Sequence, residues 1–198
     1  KTGQAVLVIK GKEEARLSAQ GVLLGWPGAY GLICDLGGSS MELAEIGEGK
    51  VGKRISARIG PLKLRELQGS AAARQQLIAR SMAKLTAKMG PQHNRLFLVG
   101  GSWRALARID MERRAYPLHV IHEYRMDKDA VQKTAAFLRQ SDPEKLRIKC
   151  GISGARMALL PYAIEVLDAL VESFAPIDIA LSSYGIREGL LYEQMSRK

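Results

Sequence analysis

The sequence has few cysteines and lacks a long hydrophobic run. Only two cysteines occur among 198 residues, Cys34 and Cys150, and their spacing matches neither a disulfide framework nor a metal-binding motif. This usage is typical of a reducing compartment, so we expect the cytoplasm. No segment approaches the roughly 20 apolar residues that cross a membrane, and no charged-then-apolar leader is visible. The sequence therefore predicts no membrane segment.

Aromatic residues are also scarce, at 6% of the chain, whereas basic residues are in excess and give a net charge of +10. Such a surface attracts polyanions such as nucleic acid, polyphosphate or anionic lipid. A mild basic cluster comprises Lys53, Arg54, Arg58, Lys63 and Arg65. No aromatic side chains are interleaved there to stack bases. This disfavours nucleic acid and favours a solvated basic face or another polyanion.

Length and composition predict one domain over residues 1–198, because a chain with 46% hydrophobic residues can bury one substantial core. Periodicity predicts strands at residues 5–9, 32–34, 41–46, 51–59, 96–99 and 177–181. It predicts helices at residues 13–20, 71–89, 103–111, 127–140, 143–149, 157–174 and 185–195. Three successive strands within residues 32–59 read as a β-meander. We therefore predict an α/β domain with a mixed sheet and helices on its faces.

The segment Asp35–Glu42 places one carboxylate at a strand end and a second on the returning strand, with a glycine and serine turn between them. Gly37 and Gly38 let backbone N–H groups approach phosphate oxygens with no Cβ in the way, and a nearby carboxylate can hold Mg²⁺. A hairpin brings Asp35 and Glu42 close together. The alternative is an ordinary glycine-rich turn with an acidic cap.

A second glycine corner, Gly100-Gly101-Ser102, follows a predicted buried strand and opens a helix. Free N–H groups and the helix dipole favour an anion at such a position. The alternative is a tight strand-to-helix corner in which Ser102 is only the N-cap.

The third segment, Gly11–Leu17, contains two adjacent carboxylates, Glu13 and Glu14, at a strand-to-helix junction. Neighbouring residues on a helix lie about 100° apart, so only one of the two faces inward. A carboxylate that faces a phosphate site can orient or deprotonate an attacking water. The alternative is that both residues only complement the helix dipole.

Taken in order, these segments resemble the motifs of the exopolyphosphatase and guanosine pentaphosphate phosphohydrolase family, Ppx/GppA, of the actin, sugar kinase and Hsp70 superfamily. Its members carry Gly-x-Glu-Glu-Ala-Arg-Leu, Asp-x-Gly-Gly-Gly-Ser-x-Glu, a Gly-Gly-Thr-type corner and Gly-x-Arg-Glu-Gly-x-x-Tyr. These motifs stand here at Gly11–Leu17, Asp35–Glu42, Gly100–Ser102 and Gly185–Tyr192. The resemblance spans essentially the whole chain and implies a ribonuclease H-like lobe of the actin-like ATPase superfamily.

The resemblance implies Mg²⁺-dependent hydrolysis of the terminal phosphate of polyphosphate or guanosine pentaphosphate. It implies that Glu14 positions the attacking water and that Asp35 and Glu42 hold Mg²⁺. The phosphate-binding residues that it implies are Gly37, Gly38, Ser39, Ser40, Gly100, Gly101 and Ser102. We expect Arg187 and Glu188 to tie the last helix to the sheet rather than to contact substrate.

Several positions depart from the family pattern. Ser39 stands where a third glycine is frequent and Met41 where threonine is frequent, so the turn backbone is expected to differ slightly; Ser102 replaces threonine and keeps the hydroxyl. The family core has two lobes, and the first brings an Asp-x-Gly-Ser-Asn loop that this sequence lacks. We therefore expect the chain to be the second lobe, whose partner is the first lobe of the same protein, without a helical C-terminal region.

Two other functions stay open: an ATP-binding lobe of a kinase-like or chaperone-like relative, and a polyanion-binding module without activity. The Glu-Glu-Ala-Arg-Leu segment favours the phosphatase family over the former, and the three carboxylates at 14, 35 and 42 argue against the latter. Substrate preference and oligomeric state, including a homodimer, are not fixed by the sequence. We expect His119 and His122 to pack against Tyr116 and Tyr124 rather than to bind a metal.

Overall fold

A computed structural model of the chain describes residue 3, residues 8–91 and residues 93–196. Within these residues, six strands form a single sheet in the order β3-β2-β1-β4-β6-β5. The strands are β1 (Gly31–Leu36), β2 (Met41–Gly47), β3 (Lys50–Ala57), β4 (Arg95–Val99), β5 (Arg125–Met126) and β6 (Asp178–Ser182). Most of the strand predicted at residues 5–9 lies outside the described residues, and the described Val8 and Ile9 are not in a strand.

The sheet is mixed, as the sequence predicts. Strand β2 is antiparallel to both β1 and β3, and the three strands form the predicted meander. Strand β1 is parallel to β4, and β4 is parallel to β6. The carboxyl ends of β1 and β4 therefore lie at the same edge of the sheet, which is where ligands bind in open α/β sheets.

The described part of the chain contains nine helices. They are α1 (Gly11–Gly25), α2 (Pro61–Arg65), α3 (Ala71–Met89), α4 (Gly101–Arg113), α5 (Lys128–Gln140), α6 (Pro143–Lys149), α7 (Gly154–Met157), α8 (Leu160–Phe174) and α9 (Ile186–Ser196). The predicted bounds of α3 and α6 are confirmed, and Asp127 is the predicted cap of α5, accepting a bond from the Ala130 N–H at 2.7 Å.

Three local predictions were incomplete. The helix predicted at residues 157–174 is two helices, α7 and α8, because Pro161 lies in the first turn of α8 and favours a new helix start there. The sequence also gave no signal for α2, a single turn, or for β5, a two-residue strand that pairs with β6. Short elements such as these are formed by tertiary contacts rather than by periodicity.

Successive residues of β1 face two different hydrophobic clusters. Leu32 and Cys34 belong to the larger cluster with residues of α3, α4, α5 and α8. Ile33 belongs to a smaller cluster under α1, which also includes Ala15 and Phe97. The alternation is that of a sheet buried on both sides. No described helix is long and apolar enough to span a bilayer.

Helix α9 packs on the outside of α1, and glycines allow the two backbones to touch. A Cβ atom at Gly189 would overlap the carbonyl oxygen of Leu17 and lie 3.0 Å from the N atom of Gly21. A Cβ at Gly21 would in turn overlap the carbonyl oxygen of Gly185. Helix α1 is thus held between the sheet and α9, which fixes the position of its amino end above the sheet edge.

Candidate active site

Asp35 and Glu42 lie directly opposite each other in the antiparallel register of β1 and β2. Opposite residues in such a pair point to the same face. Here that face is the one under α1, since Ser18 of α1 bonds to Asp35. The same row continues to Ser56 of β3, whose hydroxyl donates to Glu42 Oε1 at 2.8 Å. The hairpin predicted from the sequence therefore brings the two carboxylates together.

Both carboxylates are withdrawn from water, with 9% of Asp35 and 3% of Glu42 exposed. Burial raises the pKa of Asp35, and the hydrogen bond from Ser18 opposes this rise. Burial likewise raises the pKa of Glu42 to about 7, against the lowering effect of bonds from Ser56 and Ser40. Buried like charges with few cationic neighbours are costly, so this pair is suited to receive a cation.

Glu14 is the third carboxylate of the group. Its charge contributes to the raised pKa of both Asp35 and Glu42, so Glu14 lies within electrostatic range of the pair. Among the described residues, none donates a hydrogen bond to the Glu14 side chain. Its oxygens are therefore available to accept a proton or to orient a water molecule.

Glu13, the neighbour of Glu14, has a different environment. The Arg16 guanidinium donates to Glu13 through Nε at 2.9 Å and also contacts Glu193 on α9 at 2.6 Å. The hydrogen bond with Arg16 lowers the pKa of Glu13. The expectation that only one of the two adjacent carboxylates faces inward is consistent with this arrangement, and the residue beside the Asp35 pair is Glu14.

The turn between β1 and β2 is exposed from Gly37 to Ser39. It is closed by a bond from the Gly37 N–H to the Ser40 carbonyl at 3.0 Å. A Cβ at Gly37 would make only an ordinary contact, 3.4 Å from that carbonyl oxygen, and its φ is not positive. Neither strain nor packing within the described residues demands glycine there, and the missing side chain leaves the backbone open to close approach from outside.

Gly60 supports this turn from below. A Cβ atom at Gly60 would lie 2.5 Å from the Ser39 N atom, and the Leu62 N–H donates to the Gly38 carbonyl at 2.8 Å. Ser39 itself is not among the residues with positive φ. A serine in place of the family's third glycine is therefore compatible with the turn without backbone strain.

The second glycine corner lies at the end of β4, next to the end of β1. Gly100 has a φ of 119° and is the N-cap of α4, and a Cβ there would lie 2.8 Å from the Leu36 carbonyl and 3.5 Å from Asp35 Oδ1. Ser102 is the second residue of α4, so the alternative in which Ser102 is the N-cap is wrong. The corner thus directs the amino end of α4 toward Asp35.

Three arginines that the sequence analysis did not assign to the site lie around this corner. A Cβ at Gly101 would lie 2.7 Å from the Arg156 guanidinium. Burial lowers the pKa of Arg104, and the positive charges of Arg156 and Arg187 lower it further. The negative charges of Asp35 and Glu188 oppose this lowering of the pKa. The four other charged groups are therefore close enough to Arg104 to interact with it electrostatically.

None of Arg104, Arg156 and Arg187 forms an ion pair with a carboxylate of the described residues. These cations repel one another, have no carboxylate of the described residues in an ion pair with them and lie near the amino end of a helix. Such an arrangement favours the binding of an anion. Arg104 could have been found in the sequence, since it follows the Gly-Gly corner within one helical turn. Arg156 could not, because only the fold brings α7 to α4.

The roles expected for the neighbours Arg187 and Glu188 differ. Glu188 accepts a bond from the Gly185 N–H at 2.8 Å and so stabilises the start of α9. Arg187 is exposed and makes no hydrogen bond with another described residue. The prediction that Arg187 ties α9 to the sheet is therefore wrong, and its charge belongs to the arginine group.

The carboxylate pair fits Mg²⁺ by its chemistry. Mg²⁺ prefers hard oxygen ligands and is commonly held by one or two carboxylates together with water and substrate phosphate. No cluster of three or more His, Cys, Asp or Glu side chains suited to a metal occurs in the described residues. Asp35 and Glu42 would supply two oxygen ligands to such an ion, and water or substrate would have to supply the others.

His122 packs against two aromatic side chains. The His122 ring lies 4.9 Å from the Tyr184 ring and 6.4 Å from the Trp26 ring, measured between centroids. Tyr116 and Tyr124 pack against each other at 5.1 Å. The predicted contacts of His122 with these two tyrosines are therefore wrong, because the β5 turn places His122 against the end of α1.

The carboxylates lie at the edge of the sheet where β1 ends and β2 begins. A cavity of about 700 Å³ lies at the other end of the meander and is lined by residues that include Tyr30, Glu45 and His93. It contains none of the carboxylates or glycines described above.

The sheet order, the β1 and β4 corners and the acidic rim together define a ribonuclease H-like lobe of the actin-like ATPase class. The sequence matches the model of the Ppx/GppA phosphatase family over residues 1–198. The chain belongs to that family.

Solved structures show the same fold. A Ppx/GppA enzyme of Aquifex aeolicus superposes with a TM-score of 0.79 at 20% identity, covering 96% of this chain and 66% of that one. An exopolyphosphatase of Cytophaga hutchinsonii gives a TM-score of 0.81 at 19% identity, covering 96% of this chain and 65% of that one. The chain thus spans just under two thirds of the length of these relatives. No curated protein matches the sequence.

Proposed function

We propose that this chain forms the second lobe of a Mg²⁺-dependent phosphohydrolase that removes the terminal phosphate of polyphosphate or of a polyphosphorylated guanine nucleotide. The observation that carries the proposal is the convergence of Glu14, Asp35 and Glu42 at a rim flanked by two glycine corners. Family membership supports phosphatase chemistry, and the structural relatives include a protein named exopolyphosphatase.

Substrate binding is assigned to backbone and cationic groups. The exposed turn at Gly37–Ser40 and the amino end of α4 offer N–H groups to phosphate oxygens. Arg104, Arg156 and Arg187 supply positive charge on the α4 side, where a second phosphate or a nucleotide end would lie. The net charge of +10 raises the encounter rate with a polyanion at low salt.

Hydrolysis requires an in-line attack by water on the terminal phosphorus. Glu14 orients the water and accepts its proton as the new oxygen–phosphorus bond forms and the bridging oxygen–phosphorus bond breaks. Orthophosphate and the shortened chain are the products. Mg²⁺ held by Asp35 and Glu42 would neutralise charge on the phosphate oxygens. Positioning and charge neutralisation do most of the work, because the reaction needs no covalent intermediate.

The proposal includes a partner, the first lobe of the same protein, which would close the other side of the rim. We expect the 198-residue chain alone to bind polyphosphate but to hydrolyse it poorly. The test compares phosphate release by the chain alone and by the intact protein that contains it, from polyphosphate, guanosine pentaphosphate and ATP, with and without Mg²⁺. Release that needs no Mg²⁺, or a clear preference for ATP, would refute the proposal.

A further inference from the structure

We propose that Ser18 and Ser56 are positioning residues, which hold Asp35 and Glu42 in the orientation that a divalent cation requires. This inference rests on the proposed function, since it concerns the same two carboxylates. Its basis is that each carboxylate of the pair receives a hydroxyl bond from outside the turn, one from the helix above the sheet and one from the neighbouring strand.

Ser18 holds Asp35 from above. Its side chain is fully buried on the sheet side of α1, and its hydroxyl donates to Asp35 Oδ2. The other oxygen, Oδ1, points toward the second glycine corner, 3.5 Å from where a Cβ of Gly100 would lie. Ser18 thus occupies one oxygen of Asp35 and leaves the other directed at the rim.

Ser56 holds Glu42 from the side. Its hydroxyl donates to Glu42 Oε1 at 2.8 Å, and this oxygen lies 3.3 Å from where a Cβ of Gly11 would be. A Cβ at Gly11 would also lie 2.6 Å from the Ser56 Cβ, so the start of α1 closes over this contact.

These bonds also connect the carboxylates with Glu14. Ser18 follows Glu14 by four residues, so the two share one face of α1. The bond from Ser18 to Asp35 therefore fixes both the carboxylate and the rotation of the helix that presents Glu14. Hydrogen bonds that orient metal ligands in this way are worth roughly 10- to 100-fold in metal affinity in known metal sites.

The test measures the affinity of the purified chain for Mn²⁺, a paramagnetic stand-in for Mg²⁺ with the same preference for oxygen ligands. The electron paramagnetic resonance signal of free Mn²⁺ gives the concentration of unbound ion. The spectrum of bound Mn²⁺ reports the arrangement of its ligands. We expect Ser18→Ala and Ser56→Ala each to weaken Mn²⁺ binding by about 10-fold or more. We also expect each to change the bound-ion spectrum.

The matched control is Ser182→Ala. Ser182 is a fully buried serine of the same sheet, and its hydroxyl bonds to Tyr184 at 2.9 Å rather than to a carboxylate. Its removal should leave Mn²⁺ affinity and the spectrum unchanged. If Ser18→Ala does not fold, Ser56→Ala decides the matter, because Ser56 is only half-buried at the edge strand.

Two negative outcomes are distinguishable. If the wild-type chain binds Mn²⁺ and both serine variants bind it equally well, the positioning role is wrong while the cation site stands. If the wild-type chain binds no Mn²⁺, the assignment of Asp35 and Glu42 as ligands fails, and the positioning role fails with it. An equal loss in Ser182→Ala would also overturn the inference, because a general packing effect would then explain it.

Discussion

Gly189 of α9 lies against the Leu17 carbonyl of α1 so closely that no side chain fits between the two helices. We expect Gly189→Ala to lower the free energy of unfolding by about 2–4 kcal/mol, since backbone rather than a flexible side chain would have to move. Urea denaturation measures this value. Gly69→Ala is the control, because a Cβ there meets nothing within 4 Å. Equal stability of Gly189→Ala and wild type would contradict the described contact of α1 and α9.

Glu14 and Glu13 provide a matched test of the proposed base. In the intact protein, Glu14→Gln should lower the turnover number by roughly 10²-fold or more and leave substrate affinity largely intact, because the amide cannot accept the proton. Glu13→Gln should have a much smaller effect, since Glu13 is engaged by Arg16. Steady-state phosphate release measures both variants. A smaller loss for Glu14→Gln than for Glu13→Gln would exclude Glu14 as the base.

The raised pKa of Glu42 predicts a pH dependence of stability. The pKa is about 7 in the folded chain and has an ordinary value of 4.5, so the folded state binds a proton more tightly than the unfolded state between these values. Protonated Glu42 therefore contributes fully to the free energy of unfolding when the pH is below its ordinary pKa. This contribution is lost as the pH rises through about 7. Between about pH 5 and pH 8, the free energy of unfolding of wild type should fall by on the order of 1–2 kcal/mol more than that of Glu42→Gln.

Chemical denaturation at the two pH values, without divalent cations, measures this difference. Asp35 remains in both proteins, so the comparison removes the part of its pH dependence that does not depend on the Glu42 charge. Parallel pH profiles for wild type and Glu42→Gln would show that burial does not hold a proton on Glu42. Added Mg²⁺ should reduce the difference, because a bound cation stabilises the ionised form.

The arginine group at the second glycine corner should bind polyanions. We expect Arg156→Ala to weaken polyphosphate binding by about 10-fold at low salt, the scale of a charge-assisted hydrogen bond. The loss should shrink as salt is added, because screening weakens the remaining attraction. Arg80→Ala, which removes the same charge from the exposed face of α3, is the control. Fluorescence anisotropy with labelled polyphosphate gives the affinities, and equal losses in the two variants would indicate only a general charge effect.

The hairpin between β1 and β2 illustrates what local sequence can predict. Asp35 and Glu42 are separated by a glycine turn and flanked by apolar strands, so pairing them requires only that the turn be tight. Helix α3 is similarly determined locally, by its apolar spacing and by Ser70 at its start, whose side chain accepts from the Ala73 N–H. Such features need no distant partner.

Features that depend on distant partners were missed. Asp110 is a charged residue in a helix, yet it is fully buried. Its bonds come from Tyr124 and Thr134, each at 2.7 Å, and from Arg113 at 2.6 Å. Arg156 and the contacts of His122 were missed for the same reason. Periodicity and motif spacing carry no information on which loop returns to which helix.

The contact of Gly60 with the first glycine turn has a consequence for how the site tolerates substitution. The shape of the turn is imposed by its support, from Gly60 and Leu62, more than by the residues at its tip. Ser39 is exposed, so a different side chain at residue 39 changes the surface of the turn and leaves its support intact. A side chain at residue 60 would instead push the Ser39 backbone outward. The exposed side chain at the tip can thus vary without rebuilding the hairpin beneath it.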